Sequence, residues 1–189
     1  MSPAEDLFDL LGRTQGPLRA LWQATQHAGE QPPTAGETYA TRVADCASLE
    51  RWLRSPALAG LLGAAPPAEP GLPELCTAVG PGGLAAAALL AMVFHGTEGS
   101  TCPECAALVL RRAVAASLVA EHVSEQARAE AVAAGLLMDL PLLLQQRRGL
   151  PGIAEICDGP SMLRVDTERA TGRTDHTVIS QRMAERLGL

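Results

Sequence analysis

No stretch of this chain alternates apolar and polar residues for long enough to demand a strand. Apolar residues recur at helical spacing instead, and Gly or Pro breaks each run. The pattern confines the chain to helices packed on helices, an all-α fold with no substantial sheet. Aromatic residues make up only 3% of the sequence against 47% hydrophobic overall, so Leu, Ala and Val must fill the core. Alanine lets helix axes approach, and leucine fills the gaps between them. A chain of 189 residues is long enough to bury one substantial core.

The breaks predict the helices. Short ones are expected over Asp6–Leu11 and from Pro17 through Thr25, followed by a Pro-rich loop over Gly29–Gly36. Residues 1–35 therefore form an N-terminal appendage, and residues 36–189 the single helical domain. Ser48 is placed to cap Leu49–Leu53, and Ser55-Pro56 to start a helix through Leu62. A Pro-rich connection leads to Pro73–Val79 and then to Gly82–Phe94, apolar almost all round and hence buried. Pro103–Val123 and Ser124–Asp139 read as two long helices, with Ser124 as cap and Glu125 in the favourable first turn of the second. Pro141 interrupts that pattern. Leu142–Gln145, Pro151–Cys157, Ser161–Ala170 and Thr174–Leu187 complete the series.

Charge and composition exclude several functions. All fifteen basic residues are arginine, and the net charge is −6 with a pI near 5.2. A protein that neutralises phosphates needs a basic surface, so no nucleic-acid partner is expected. The longest apolar run, Gly83–Phe94, falls well short of the roughly 20 residues that span a bilayer, so no membrane span is expected. The acidic start Met1-Ser2-Pro3-Ala4-Glu5-Asp6 lacks the features of a secretory signal. Five cysteines are an odd count in a chain large enough to fold without staples, which points to reduced thiols in the cytoplasm.

The stretch Gly135-Leu136-Leu137-Met138-Asp139 resembles the helix that carries the His-Asp pair of the HD phosphohydrolase superfamily. More closely, the chain resembles its HDOD branch, the HD-related output domain. Three further stretches fit that branch in order. Ser48-Leu49-Glu50 through Arg54-Ser55-Pro56-Ala57-Leu58-Ala59 looks like its acidic-leucine helix and Asp-Pro-Ala-Leu-Ala step. Leu75-Cys76-Thr77-Ala78-Val79-Gly80-Pro81-Gly82-Gly83-Leu84 looks like its Ala-Ile-x-x-Leu-Gly stretch. Gly172 through Ser180, with His176, and Ala184 through Leu189 resemble its His-x-x-x-Gly helix ending in Trp-Gly-Leu-Pro. The resemblance covers roughly residues 40–189 and implies an HD-type helical domain.

The departures concern chemistry. Active HD enzymes hold metal through a histidine on the preceding helix, the His-Asp pair and a later acid or histidine. Here the first position falls at or near Arg112, a permanent cation that repels metal. The second is Met138, a soft, weak ligand and a natural core gap-filler. Pro141 and Leu142 stand where the phosphodiesterase branch has glycine and lysine. Asp139 and His176 remain, and a hydrolytic metal centre usually takes at least three protein ligands. The residues themselves offer plainer roles: Asp139 as an ion-pair partner of Arg112, and Asp175 as a helix cap beside His176. His122, at a helix end, complements the dipole.

Cys102-Pro103-Glu104-Cys105 is a second candidate. Cys-x-x-Cys at a helix start stabilises a thiolate and is redox active or half of a zinc site in some proteins. The remaining ligands would have to come from His95, Cys46, Cys76 or Cys157, and ordinary helix-start cysteines are the simpler reading.

The resemblance implies a non-catalytic signal-transduction output module without cofactor, binding a protein partner, or a nucleotide, around Arg112, Met138, Asp139 and His176. The alternatives are a divergent metal-dependent phosphohydrolase and a Cys102–Cys105 zinc or redox sensor. The chain ends at Gly188-Leu189 where members of the branch continue. The apolar face Val178, Ile179, Met183 and Leu187 is thus expected to lack a cover, a hint of homo-oligomers.

Overall fold

The computed structural model describes residues 40, 43–44, 47–63, 71–94, 103–124, 127–147, 149–173 and 175–187. Among these it holds eight α-helices, one 3-10 turn and no strand, as the periodicity predicts. They are α1 (Ala47–Leu53), α2 (Pro56–Leu62), α3 (Leu72–Phe94), α4 (Pro103–Val123), α5 (Arg128–Arg147), α6 (Ile153–Asp158), α7 (Arg164–Ala170) and α8 (His176–Leu187). The 3-10 turn, Ser161–Leu163, leads straight into α7. The helices expected before residue 36, and the loops at 64–70 and 96–101, lie outside the described residues.

Local chemistry sets most boundaries. The Ser55 side chain accepts a hydrogen bond from the Ala57 N–H at 3.2 Å, Pro56 opens the helix, and Gly63 closes it at φ 69°. Ser48, by contrast, falls inside the first turn of α1 and does not precede it. Helix α3 is two arms joined at Gly80, whose φ of 62° and ψ of −177° only glycine adopts without strain. Pro81 disfavours helical backbone at the residue before it and is tolerated in the first turn of the next arm. The arms meet at 109°, and Leu84–Ala91 of the second is wholly buried. Among the described residues no single helix is long and apolar enough to cross a membrane.

Helix α5 is the hub, packing on α4, α3 and α8 and touching α2 and α6. It crosses α4 at Gly135, where an added Cβ would stand 2.7 Å from the Arg112 carbonyl oxygen and 2.9 Å from Ala116 Cβ. The helix runs through Pro141 to Arg147, where the sequence predicts a break at the proline. Proline removes the N–H that would bond the Leu137 carbonyl. The Ser180 hydroxyl of α8 replaces it, 2.8 Å from that oxygen and 2.9 Å from the carbonyls of Met138 and His176.

Polar ties close the remaining ends. Arg128 Nε and Ser117 Oγ both donate to the Leu61 carbonyl, at 3.0 and 2.6 Å, fixing the end of α2 to α4 and α5. The buried Arg164 side chain donates to the carbonyls of Ile156, Cys157 and Gly159 at 2.9–3.2 Å and so caps α6. Cys105 of α4 and Cys157 of α6 form a disulfide with Cα atoms 5.8 Å apart. This corrects the reduced-thiol reading: 52 residues separate the two cysteines, so their pairing depends on how α6 returns to α4.

Candidate functional site

Four helices bring charged side chains to one place. Arg112 of α4 donates from Nε to Asp139 Oδ2 of α5 at 3.0 Å, the ion pair anticipated from the sequence. Asp139 is 2% exposed and the Arg112 side chain 38%, so the carboxylate lies inside and the guanidinium reaches the surface. The other Asp139 oxygen stands 3.5 Å from His176 Nε2, at the start of α8. On the far side of the ring, His176 Nδ1 meets Glu168 Oε2 of α7 at 2.5 Å. The same Glu168 oxygen accepts the His176 backbone N–H at 3.0 Å. A fully buried carboxylate thus sits at the positive end of α8, where the helix dipole and a free N–H stabilise it.

Asp175 caps that end. Its Oδ1 accepts from the Thr177 N–H at 2.8 Å and the Thr177 hydroxyl at 2.5 Å, and its Oδ2 pairs with Arg169 at 2.7 Å. Burial alone pushes this carboxyl upward. The two bonds from Thr177 and the Arg169 guanidinium outweigh it and hold Asp175 below the ordinary carboxylate range.

No family model, curated protein or solved structure matches this chain. Arg112, Asp139 and His176 come together as the sequence reading groups them. Met138 does not join them, and it is no core filler: it is 48% exposed, in line with Glu130 and Ala134 on the outer stripe of α5. The residue between Leu137 and Asp139 points outward because both of its neighbours point in.

Glu168 is the member that sequence reading missed. It lies in a polar stretch, Arg164-Val165-Asp166-Thr167-Glu168-Arg169, whose buried positions Arg164 and Glu168 are four residues apart. The spacing is helical, but hydropathy hides it because both side chains carry charge.

Asp139 and Glu168 face opposite nitrogens of one imidazole, so the two carboxylates and His176 do not converge on a single point. Asp139 also carries the permanent cation Arg112. Glu168, Asp175 and His176 do offer ligand atoms within 4.8 Å of one another, and Glu168 Oε1 is buried without a hydrogen-bond partner. Both Asp175 oxygens, however, are already engaged by Thr177 and Arg169. The arrangement does not fit the three-ligand centre of a hydrolytic enzyme.

The Cys-x-x-Cys reading is corrected as well. Cys102 lies outside the described residues, and the Cys105 sulfur is bonded to Cys157, so it is not a free thiolate for zinc. Cys76 is a buried free cysteine, and burial, aided by the nearby Glu50 charge, pushes its thiol up to about 11. It behaves as a small core hydrophobe.

Proposed function

We propose that this chain is a non-catalytic regulatory module of the HDOD type, acting by binding a partner protein. The observation that supports this reading is the row of buried polar contacts Arg112–Asp139–His176–Glu168. In the HD enzymes that the chain resembles, the corresponding place holds a metal. Here Arg112 pairs with Asp139 and the His176 ring stands between Asp139 and Glu168, and the partly exposed Arg112 guanidinium is the part a partner reaches. Affinity capture with the wild type and with an Arg112→Ala, Asp139→Ala double variant tests the surface. A partner retained by the first and lost by a still-folded second is the expected result. Phosphoester turnover with added manganese or iron, abolished by Asp139→Ala, would overturn the proposal.

A second reading has its own support. Glu168, Asp175 and His176 cluster within ligand distance, and Glu168 keeps one buried oxygen free of hydrogen bonds. The alternative is a divergent metal-dependent phosphohydrolase, which would need Asp175 to release Thr177 and Arg169 before it could ligate a metal, and for which Glu168→Gln abolishes both metal binding and turnover.

A further inference from the structure

The face of α4 turned away from α5 is apolar and open to solvent. Val114, Ala115, Leu118 and Val119 form one exposed patch across its middle turns, and the exposed His122 and Val123 follow in the last turn. Leu118 is 55% and Val123 77% exposed. The opposite face, with Val109, Ala113 and Ala120, is buried, so the patch is a second apolar surface in addition to the core face. Single exposed apolar residues need no explanation, whereas a contiguous patch marks a contact surface.

The charges around the patch identify its occupant. Arg111 stands before the patch and Glu121 after it, on its Val114–Leu118 edge, and both are exposed. Glu121 keeps only a loose pair with Arg128, at 3.8 Å, and remains 55% exposed. The two charges are ten residues apart, about 15 Å along the helix. When a copy is turned end for end about an axis level with Ala116, each Arg111 stands opposite Glu121 of the other copy. Val114 then meets Leu118 and Val119, and Ala115, being small, lets the helices approach. A patch with one sign of charge at both ends would repel its own copy, and this one is self-complementary.

We propose that α4 pairs antiparallel with α4 of a second copy, forming a two-fold symmetric dimer. A stable interface buries about 800 Å² per partner, more than four side chains supply, so the patch is the apolar centre and its flanks form the polar rim. The dimer stands apart from the proposed function, whose row of polar contacts joins α4 to α5. It also moves self-association away from α8, where Ile179 and Met183 are buried in the core and only Val178 of the described members is exposed.

Sedimentation equilibrium of the full chain at micromolar concentration is expected to give the mass of a dimer. Leu118→Glu is expected to give a monomer with unchanged helix content. If that variant fails to fold, two charge reversals decide. Arg111→Glu and Glu121→Arg should each weaken the dimer, on the order of tenfold, by opposing like charges. Mixing the two variants should restore a heterodimer, in which both charge pairs are complementary again. A monomeric wild type overturns the proposal. A dimer indifferent to Leu118→Glu and to both reversals also overturns it.

Discussion

The Ser180 hydroxyl stands 2.8 Å from the carbonyl oxygen of Leu137. That oxygen is the one Pro141 leaves without a helical donor, so two residues 39 positions apart compensate each other across α5 and α8. Together they keep a proline inside a buried helix with its backbone satisfied.

Removing the hydroxyl should expose that dependence. Ser180→Ala leaves a buried carbonyl unpaired and is expected to cost about 1–3 kcal/mol. In a Pro141→Ala background the restored amide bonds Leu137, so the same substitution should cost clearly less. Urea unfolding of the four chains measures the coupling. Strict additivity would show that Ser180 does not serve the proline.

Two glycines should answer alanine with opposite signs. At Gly60, in α2, a Cβ meets nothing within 4 Å, so Gly60→Ala is expected to stabilise by up to about 1 kcal/mol through helix propensity. At Gly135 the Cβ meets the Arg112 carbonyl and Ala116, and backbone cannot swing aside as a side chain does. Gly135→Ala is expected to cost about 1–3 kcal/mol despite the same propensity gain. Thermal or urea denaturation of both variants checks the contrast.

The disulfide between Cys105 and Cys157 closes a long loop of chain, restricting the unfolded state. Dithiothreitol should lower wild-type stability by about 2–4 kcal/mol and leave Cys157→Ser unchanged. Alkylation of the unreduced, denatured protein followed by mass measurement counts the protected thiols directly. Labelling of both cysteines without reduction would contradict the bond.

Acid should weaken the start of α8. The Asp175 carboxyl is held below its unfolded range, so its contribution is present above the unfolded value of about 3.9 and is lost as pH falls through the lower folded value. Asp175→Asn, which cannot form the ion pair with Arg169, should lose less stability over that acid range than the wild type. Denaturant midpoints recorded from pH 6 downward, about two units either side of the unfolded value, provide the comparison. Parallel curves for the two proteins would remove Asp175 from the account.

Much of the fold is legible in the chain because its causes are local. Ser55-Pro56 and Gly63 mark α2 at both ends, and Gly80-Pro81 marks the bend in α3. The pairing of Arg112 with Asp139 is also legible, since two helices joined by a short link place these charges on facing sides. The candidate site is only half legible. Glu168 carries a charge in a polar stretch, and nothing within a few residues says that it is buried. Met138 carries an apolar side chain in an apolar stretch, yet it faces solvent.

The sequence by itself determined an all-helical chain, the positions of most helix starts and breaks, and a core built from leucine and alanine. Periodicity, capping and backbone restriction act within a turn or two and need no distant partner. The tertiary structure alone decided that α5 continues through Pro141, that Cys105 finds Cys157, and that Glu168 completes the row at His176. Each of these depends on a group supplied by another helix. A carbonyl, a thiol or a carboxylate does not reveal from its own neighbourhood which distant donor will reach it.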